Sequence, residues 1–228
     1  MRTKFETCIM AERYKKYCLI LFFSIISFLI LSVFMQSFLS LTPLVSLSIL
    51  LAIFINRYKR YKSGFEGELK VANYLKGLGK AYSVFHDVKL PNRFGNIDHI
   101  VLGKNGLFVI ETKNNKGILK CYKDLWTYEE NNKRIRSPSQ QVRRSVVSLK
   151  EFLGKRGERF WVEGIAVFTN ENVELLIEKS PELVKILKLP ELLNWVRDAK
   201  RSPNLTTRDI NEIKEKLEKT DFVAGVFV

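Results

Sequence analysis

Three charged side chains stand in or directly beside two apolar runs near the middle of the chain. Residues 97–102 and 107–112 are rich in the residue types that form buried strands, and the segment Gly-Lys-Asn-Gly separates them. Asn-Gly between apolar runs is the strongest short-range signal for a β-hairpin, because both residues tolerate a positive φ. The charged residues are Asp98 in the first run, Glu111 in the second and Lys113 just after it.

The turn allows two hairpin registers, and both bring these charges to one face of the hairpin. A four-residue loop sets Asp98 opposite Glu111, whereas a two-residue Asn-Gly turn sets Asp98 opposite Lys113. Directly opposed residues project to the same side of a sheet, and Glu111 and Lys113 share a face because side chains alternate along a strand. Either register therefore predicts two carboxylates and an ammonium group close together on an otherwise apolar hairpin.

Convergent carboxylates suit the chemistry of a hard cation. Mg²⁺ prefers one or two carboxylates together with water and substrate phosphate. Such a metal acidifies a bound water and neutralises charge on a phosphodiester, and Lys113 could steer the water or stabilise developing negative charge. The alternative is a structural ion pair on a half-exposed face, since ion-pair networks also gather charged residues.

Four sequence blocks resemble the nuclease-related domain (NERD) family and follow its order. Asp98 and the sequence Glu111-Thr112-Lys113 look like the D…(D/E)-x-K core of the PD-(D/E)XK nuclease superfamily. The four blocks are GFEGE at 64–68, GNIDH at 95–99, GLFVIETKN at 106–114 and SPSQQ at 137–141. The resemblance covers residues 64–169.

This resemblance implies a fold and a cofactor. The fold is α/β, with a restriction-endonuclease-like mixed sheet and flanking helices in residues 64–228. The implied cofactor is Mg²⁺ or Mn²⁺, held by Asp98, Glu111 and the backbone carbonyl of Thr112.

Three further residues take roles by the same resemblance. Lys113 would orient or activate the attacking water, and Glu68, at the position of the family's Gly-x-x-Gly-Glu glutamate, would complete the acidic cluster. Gln141 lies three residues after Pro138 and would position a water or a metal ligand. The implied catalytic set is Glu68, Asp98, Glu111, Lys113 and Gln141.

The histidine and cysteine contents argue against other site chemistries. The three scattered cysteines form neither a disulfide framework nor a zinc-binding spacing, and they fit a reducing compartment. His86 and His99 are the two histidines, so neither a histidine-based metal site nor a Ser-His triad is expected. His99 follows Asp98 but points to the opposite face, and we expect it to be packed rather than catalytic.

The N-terminal part of the chain contains an uncharged segment with the character of a membrane span. Residues 17–56 carry no charged side chain, which is too long for one span because about 20 residues cross the hydrocarbon core. A polar dip at 36–43 predicts two transmembrane helices, at 17–35 and 39–55, joined by a tight turn. A signal peptide fits poorly because the segment is too long. A buried hairpin in a soluble protein is the alternative.

Basic residues flank this segment on both sides. By the positive-inside rule both flanks lie in the cytoplasm, which predicts a two-span protein of the cell membrane that contacts lipid through residues 17–56. The predicted organisation is a basic cytoplasmic arm at 1–16, the two helices, a basic juxtamembrane linker at 57–63 and a NERD-like nuclease domain at 64–228. Anionic lipid accounts for the basic flanks before any nucleic acid is invoked.

Hydrophobic periodicity predicts the elements of the soluble part. Helices are expected at 66–78, 138–153, 190–199 and 206–216. Besides the central hairpin, strands are expected at 82–90, 118–122, 125–128, 161–169, 172–177 and 222–228.

The overall charge suits a polyanionic partner. Lys and Arg number 38 against 24 Asp and Glu, a net charge of +14, and phosphate contacts with basic residues release counterions. We expect the partner to be nucleic acid, DNA before RNA. The basic residues that could contact it are Arg93, Lys133, Arg134, Arg136, Arg143 and Arg144.

These features together predict a membrane-anchored, metal-dependent nuclease that hydrolyses phosphodiester bonds. The alternative is a non-catalytic, membrane-tethered module that binds nucleic acid or acts as a scaffold with a nuclease-like fold. A transporter is disfavoured, because two short spans without an embedded charge offer no pathway.

Overall fold

A computed structural model describes residues 4–35, 41–91, 95–154, 160–199 and 205–223. The chain divides into two compact units: Lys4–Phe65 forms one, and the other begins at Glu66. Each unit has its own packing and is described by itself.

The N-terminal unit is a pair of antiparallel helices. Helix α1 spans Glu6–Met35 and helix α2 spans Leu41–Leu75, so α2 continues beyond this unit. The ring centroids of Phe5 and Phe65 lie 6.0 Å apart, and those of Tyr17 and Phe54 lie 5.4 Å apart. The early part of α1 therefore faces the later part of α2, which defines the antiparallel arrangement.

Large apolar side chains cover the surface of α1. Ile20, Phe23 and Ile30 are each more than 60% exposed, an arrangement unfavourable in water. Within the described residues, one helical segment, Glu6–Leu31, is long and apolar enough to cross a membrane. The predicted second span is not confirmed, because α2 has only residues 41–56 before Arg57, fewer than the ~20 that a span needs.

The basic segment at 57–63, predicted as a linker, is helical and belongs to α2. It contains neither glycine nor proline, so nothing in it ends the helix that precedes it. The described part of helix α2 begins at Leu41, so residues 41–43 of the predicted turn at 36–43 are helical, and its residues 36–40 lie outside the described residues.

The second unit contains nine described strands and three helices besides the end of α2. The strands are β1 Ser83–Lys89, β2 Ile97–Gly103, β3 Gly106–Lys113, β4 Gly117–Tyr122, β5 Leu125–Tyr128, β6 Val162–Phe168, β7 Val173–Lys179, β8 Val184–Lys188 and β9 Asp221–Val223. The helices are α3 Pro138–Leu153, α4 Leu192–Asp198 and α5 Thr207–Glu218, with 3₁₀ turns at Lys76–Leu78 and Leu189–Glu191.

The strands form two sheets, which corrects the prediction of one mixed sheet. The larger has the order β8-β6-β3-β2-β1-β9, and it is mixed because β3, β6 and β8 run parallel while the remaining neighbours are antiparallel. The smaller has the order β5-β4-β7. The chain turns at Gly117, whose φ of +87° favours glycine, and β4 then pairs with β7 instead of continuing the larger sheet.

Helices cover both faces of the larger sheet. Leu149 of α3 and Leu217 of α5 pack in one core with Ile100 and Leu102 of β2. On the other face, Val101 packs with the end of α2 and with α4, in a core that includes Val71, Leu75, Leu192 and Val196. The unit is thus a three-layer α/β/α arrangement, and alternation along each strand decides which layer a side chain faces.

Two buried histidines form a pair inside this core. His86 of β1 and His99 of β2 are directly opposed, and their Nδ1 atoms lie 2.8 Å apart. One ring must donate and the other accept, so the two imidazoles hold different tautomers. Burial lowers the pKa of His86 to about 4 and the pKa of His99 well below its usual value. The expected packing role of His99 agrees with this placement.

We predict that this pair stays neutral in the folded protein to well below pH 6. In a tag-free fragment of residues 63–228, NMR of the ring nitrogens should show one Nδ1–H and one Nε2–H tautomer. The His86 pKa should be about 4. The histidines of the unfolded chain take up protons near pH 6.5, whereas those of the folded protein do not. The free energy of unfolding should therefore fall as the pH drops below 6.5, by about 3 kcal/mol at pH 4 for His86 alone. A His86 that titrates near 6.5 would contradict the pairing.

Candidate active site

The β2–β3 hairpin adopts one of the two registers that the sequence allows. Leu102 pairs with Leu107, as in the predicted four-residue loop. Gly103 also pairs with Gly106, so the turn itself consists of Lys104 and Asn105 rather than Asn-Gly. Continued along the strands, this register sets Asp98 opposite Glu111. The register with Asp98 opposite Lys113 is not the one found.

The hairpin ladder ends where the site begins. Its last backbone pair is His99 with Ile110, and a regular continuation would pair Ile97 with Thr112. Instead, the Thr112 N–H donates to Oδ2 of Asp98 at 2.7 Å. The Asp98 carboxylate therefore takes the place of a strand carbonyl, and the two strands part around it.

The same geometry fixes the direction of the Thr112 carbonyl. In a strand, the N–H and C=O of one residue point to the same side, and those of the next residue point to the other. The Lys113 carbonyl accepts the Thr169 N–H at 2.9 Å, towards β6. The Thr112 carbonyl therefore points towards β2 and Asp98.

Glu111 and Lys113 form a largely buried ion pair. Nζ of Lys113 lies 2.7 Å from Oε1 of Glu111, and the two side chains are 17% and 8% exposed. Both project to the α3 side of the sheet, as do Asp98 and Ile100. The predicted convergence of the two carboxylates and the lysine on one face agrees with this arrangement.

The pKa of Asp98 is shifted first by its burial and then by the charges around it. Burial and then the charge of Glu111 raise its pKa to about 8, and Asp87 adds to the effect. The Lys113 ammonium and the Thr112 N–H act in the opposite direction without cancelling it. A cation placed beside Asp98 and Glu111 would relieve this repulsion.

Asp87 is a neighbour of the site that sequence reasoning missed. His86 pairs with His99 and Val88 with Ile97, so Asp87 lies across from Asp98 on β1. It is buried, has a φ of +51°, and accepts a hydrogen bond from Nδ2 of Asn96 at 2.6 Å. The signal was a carboxylate within an apolar strand, but only the strand pairing shows which residue it meets.

Helix α3 brings Gln141 to the same face of the sheet. Ser137 caps the helix by accepting the Gln140 N–H at 3.3 Å, and Pro138 is its first residue. In its first turn, Val142 packs with Ala166 of β6, the residue paired with Glu111. Oε1 of Gln141 is buried and has no hydrogen-bond partner among the described residues, so it is available to accept a hydrogen bond.

Helix α2 approaches the end of β3 through a glycine. A Cβ at Gly67 would lie 3.0 Å from Cβ of Asn114 and 3.2 Å from both Cγ2 of Thr112 and Oγ1 of Thr169. Glu68 follows directly and is buried. In the described part of the chain, no three His, Cys, Asp or Glu side chains are grouped closely enough to hold a metal, so Glu68 is not a third carboxylate in such a group.

Arg143 and Arg144 of α3 differ in their surroundings. Arg143 pairs with Asp124 in the turn between β4 and β5, and Asp124 also accepts from Oγ of Ser139 at 2.6 Å. This network ties the smaller sheet to the start of α3. Arg144 is exposed.

The loop before α3 carries the other basic residues. Lys133, Arg134 and Arg136 are exposed, and Arg134 forms an isolated β-bridge with Thr127. Arg93, the remaining predicted contact, lies outside the described residues.

The domain has a mixed sheet between helices, with two carboxylates and a lysine at the end of the β2–β3 hairpin, and its family match supports a nuclease-like hydrolase at the level of the superfamily. Residues 63–169 match the model of the nuclease-related domain family (NERD), which is part of the PD-(D/E)XK-like nuclease superfamily. No curated protein and no solved structure matches the chain.

The close contact at Gly67 predicts that alanine there is unfavourable. Alanine is the better helix former by about 1 kcal/mol, but its Cβ would press on Asn114, Thr112 and Thr169, and overpacking costs about 1–3 kcal/mol. In chemical denaturation of the 63–228 fragment, Gly67→Ala should lower the free energy of unfolding. Asn73→Ala, at an exposed position of α2, should leave it unchanged or raise it. Equal stabilisation by both changes would contradict the contact.

The position of Asp87 predicts an electrostatic effect on Asp98. Because the charge of Asp87 raises the pKa of Asp98, Asp87→Asn should lower that pKa below about 8, and asparagine tolerates the positive φ. Carboxyl ¹³C NMR of the metal-free fragment measures it. The control is Asp198→Asn, which removes one negative charge at an exposed position. An unchanged Asp98 pKa in Asp87→Asn would refute the coupling.

Proposed function

We propose that the protein is a membrane-anchored, metal-dependent nuclease that hydrolyses phosphodiester bonds of nucleic acid, DNA before RNA. The observation that carries the proposal is the position of Asp98. Its carboxylate accepts the Thr112 N–H and lies opposite Glu111, with Lys113 paired to Glu111. An acidic pair with a lysine beside it is a donor set that suits metal-assisted hydrolysis of a phosphodiester.

The residues present fit a divalent cation such as Mg²⁺ or Mn²⁺. The carboxylates of Asp98 and Glu111 and the Thr112 carbonyl would hold it, and these are the oxygen donors that Mg²⁺ prefers. The raised pKa of Asp98 supports this, because burial and then the charge of Glu111 disfavour the ionised form of Asp98, and a cation beside the two carboxylates would favour it. When bound, the cation supplies charge neutralisation and an acidified water.

Lys113 would orient the attacking water and stabilise negative charge on the phosphate. It is paired with Oε1 of Glu111, which leaves the second oxygen of Glu111 for the cation. An ammonium group held beside a carboxylate in a largely buried place has a defined position, and positioning of this kind contributes strongly to hydrolysis.

Gln141 and Glu68 would support the site from two helices. The unpartnered Oε1 of Gln141 supports a role in accepting a hydrogen bond from a bound water. Glu68 would assist from α2, next to the glycine that contacts the end of β3. We assign both as positioning residues.

Exposed basic residues would guide the nucleic acid. Lys133, Arg134, Arg136 and Arg144 are free to contact a phosphate backbone, and the sequence adds Arg93 to this set. Arg143 would contribute through its positive charge while it holds Asp124. Binding through such contacts is expected to weaken with salt.

The apolar surface of α1 supports attachment to the cell membrane. The segment Glu6–Leu31 meets the length and hydropathy of a span, and the apolar part of α2 would return the chain to the same side. By the positive-inside rule, the basic residues on both flanks favour a cytoplasmic location for the N-terminal arm and the nuclease domain.

The test is a cleavage assay with matched variants. The 63–228 fragment is incubated with supercoiled, linear and single-stranded DNA and with RNA, in Mg²⁺, Mn²⁺ or EDTA. We expect cleavage that requires the metal and falls by about 10²-fold or more in Asp98→Asn and in Lys113→Met. Lys116→Met, at an exposed turn position, removes the same charge and should retain activity.

Two outcomes would contradict the proposal. Cleavage that persists in EDTA or in Lys113→Met would exclude this site as its source. Salt-sensitive binding without cleavage in any metal would favour the non-catalytic, nucleic-acid-binding module instead.

A further inference from the structure

An aromatic and arginine cluster joins the two helices of the N-terminal unit. The ring of Tyr14 is buried and stacks on that of Tyr61, with centroids 5.4 Å apart and planes at 11°. Nη1 of Arg57 donates to the Tyr14 hydroxyl at 3.0 Å, and its guanidinium carbon lies 5.8 Å from the ring centroid. These contacts hold the Arg57 guanidinium in a defined position beside both rings.

This cluster borders a cavity with a marked positive character. The cavity has a volume of about 390 Å³ and is lined by Thr7, Arg57, Arg60 and Tyr61. The side chains of these four residues carry two guanidinium groups and two hydroxyl groups, all of which can donate hydrogen bonds. Among the described residues, no carboxylate pairs with Arg57 or Arg60. The cavity is therefore suited to an anion, and two guanidinium groups favour phosphate, which they bind through paired donors.

The place of the cavity along the helices indicates the source of the phosphate. Residues 41–56 of α2 carry no charge, and Arg57 is the first charged residue after them. In α1, the uncharged stretch begins at Tyr17, whose ring contacts that of Phe54 in α2. The cavity thus begins at the boundary that Arg57 marks and lies on the basic side of both helices, the side on which lipid headgroups meet the protein.

We propose that Thr7, Arg57, Arg60 and Tyr61 form a binding site for the phosphate of an anionic phospholipid headgroup. This site adds a specific lipid contact to the general attraction of a basic flank for the membrane. It rests on the membrane attachment proposed above and is independent of cleavage by Asp98, Glu111 and Lys113.

The test uses the full chain in a neutral detergent, without metal or nucleic acid. Binding of dihexanoyl phosphatidylglycerol is measured by microscale thermophoresis and compared with dihexanoyl phosphatidylcholine and inorganic phosphate. We expect saturable binding of the phosphatidylglycerol that weakens by at least about tenfold in Arg57→Gln/Arg60→Gln. Arg57→Lys/Arg60→Lys should also bind more weakly, because an ammonium group lacks the paired donors of a guanidinium group.

A control variant that loses the same charge distinguishes binding in the cavity from general electrostatic attraction to the lipid. Lys15→Gln/Lys16→Gln removes two exposed charges from α1, and it should change the affinity by less than about threefold because these lysines do not line the cavity and attract the lipid only through the screened general field. An equal loss in this control would overturn the proposal, as would inorganic phosphate that binds as tightly as the lipid. So would a single-stranded oligonucleotide that binds the cavity arginines more tightly than the lipid.

The outcome for the lipid site is distinguishable from the outcome for the nuclease. Lipid binding that persists in Lys113→Met supports the cavity whether or not the protein cleaves nucleic acid. Circular dichroism of each arginine variant reports whether the helices are retained. Loss of binding in the lysine substitutions with full helicity confirms that the guanidinium groups, rather than the fold, carry the interaction.

Discussion

The hydrogen bond from the Thr112 N–H to the Asp98 carboxylate, 2.7 Å long, is the interaction on which the site depends. It ends the β2–β3 ladder one step early and replaces a backbone acceptor with a side-chain carboxyl oxygen. The strands part there, so a carboxylate, a backbone carbonyl and the neighbouring Glu111 come together without distorting the rest of the sheet. Burial then amplifies the repulsion between Asp98 and Glu111, because charges interact more strongly away from water.

Close helix packing supports this arrangement from both faces of the sheet. On one face, a Cβ at Gly164 of β6 would overlap Val142, so α3 lies directly on the strand and brings Gln141 to the level of Glu111. On the other face, Gly67 lets α2 reach the end of β3. Two glycines on different elements thus set the separation of the layers, and the polar residues beside them take their positions from that packing.

The sequence predicts the parts of this structure that depend on local patterns. The hairpin, the shared face of Asp98 and Glu111 and the capped start of α3 follow from alternation, turn type and capping residues. The choice between the two registers does not, because the turn sequence is compatible with both. Asp87 was missed because its importance arises from pairing with a distant strand. The split into two sheets and the strand β8 likewise depend on tertiary pairing, which periodicity does not encode.

The dual use of Asp98 affects how relatives of this domain should be compared. An acceptor at this position satisfies a backbone N–H that would otherwise be left without a partner, so selection for folding alone would keep Asp or Asn there. A descendant that had lost its chemistry could therefore still carry Asp98. Lys113 has no comparable backbone partner, since its one described side-chain contact is with Glu111. Retention of Lys113 is consequently the better marker of a working site than retention of Asp98.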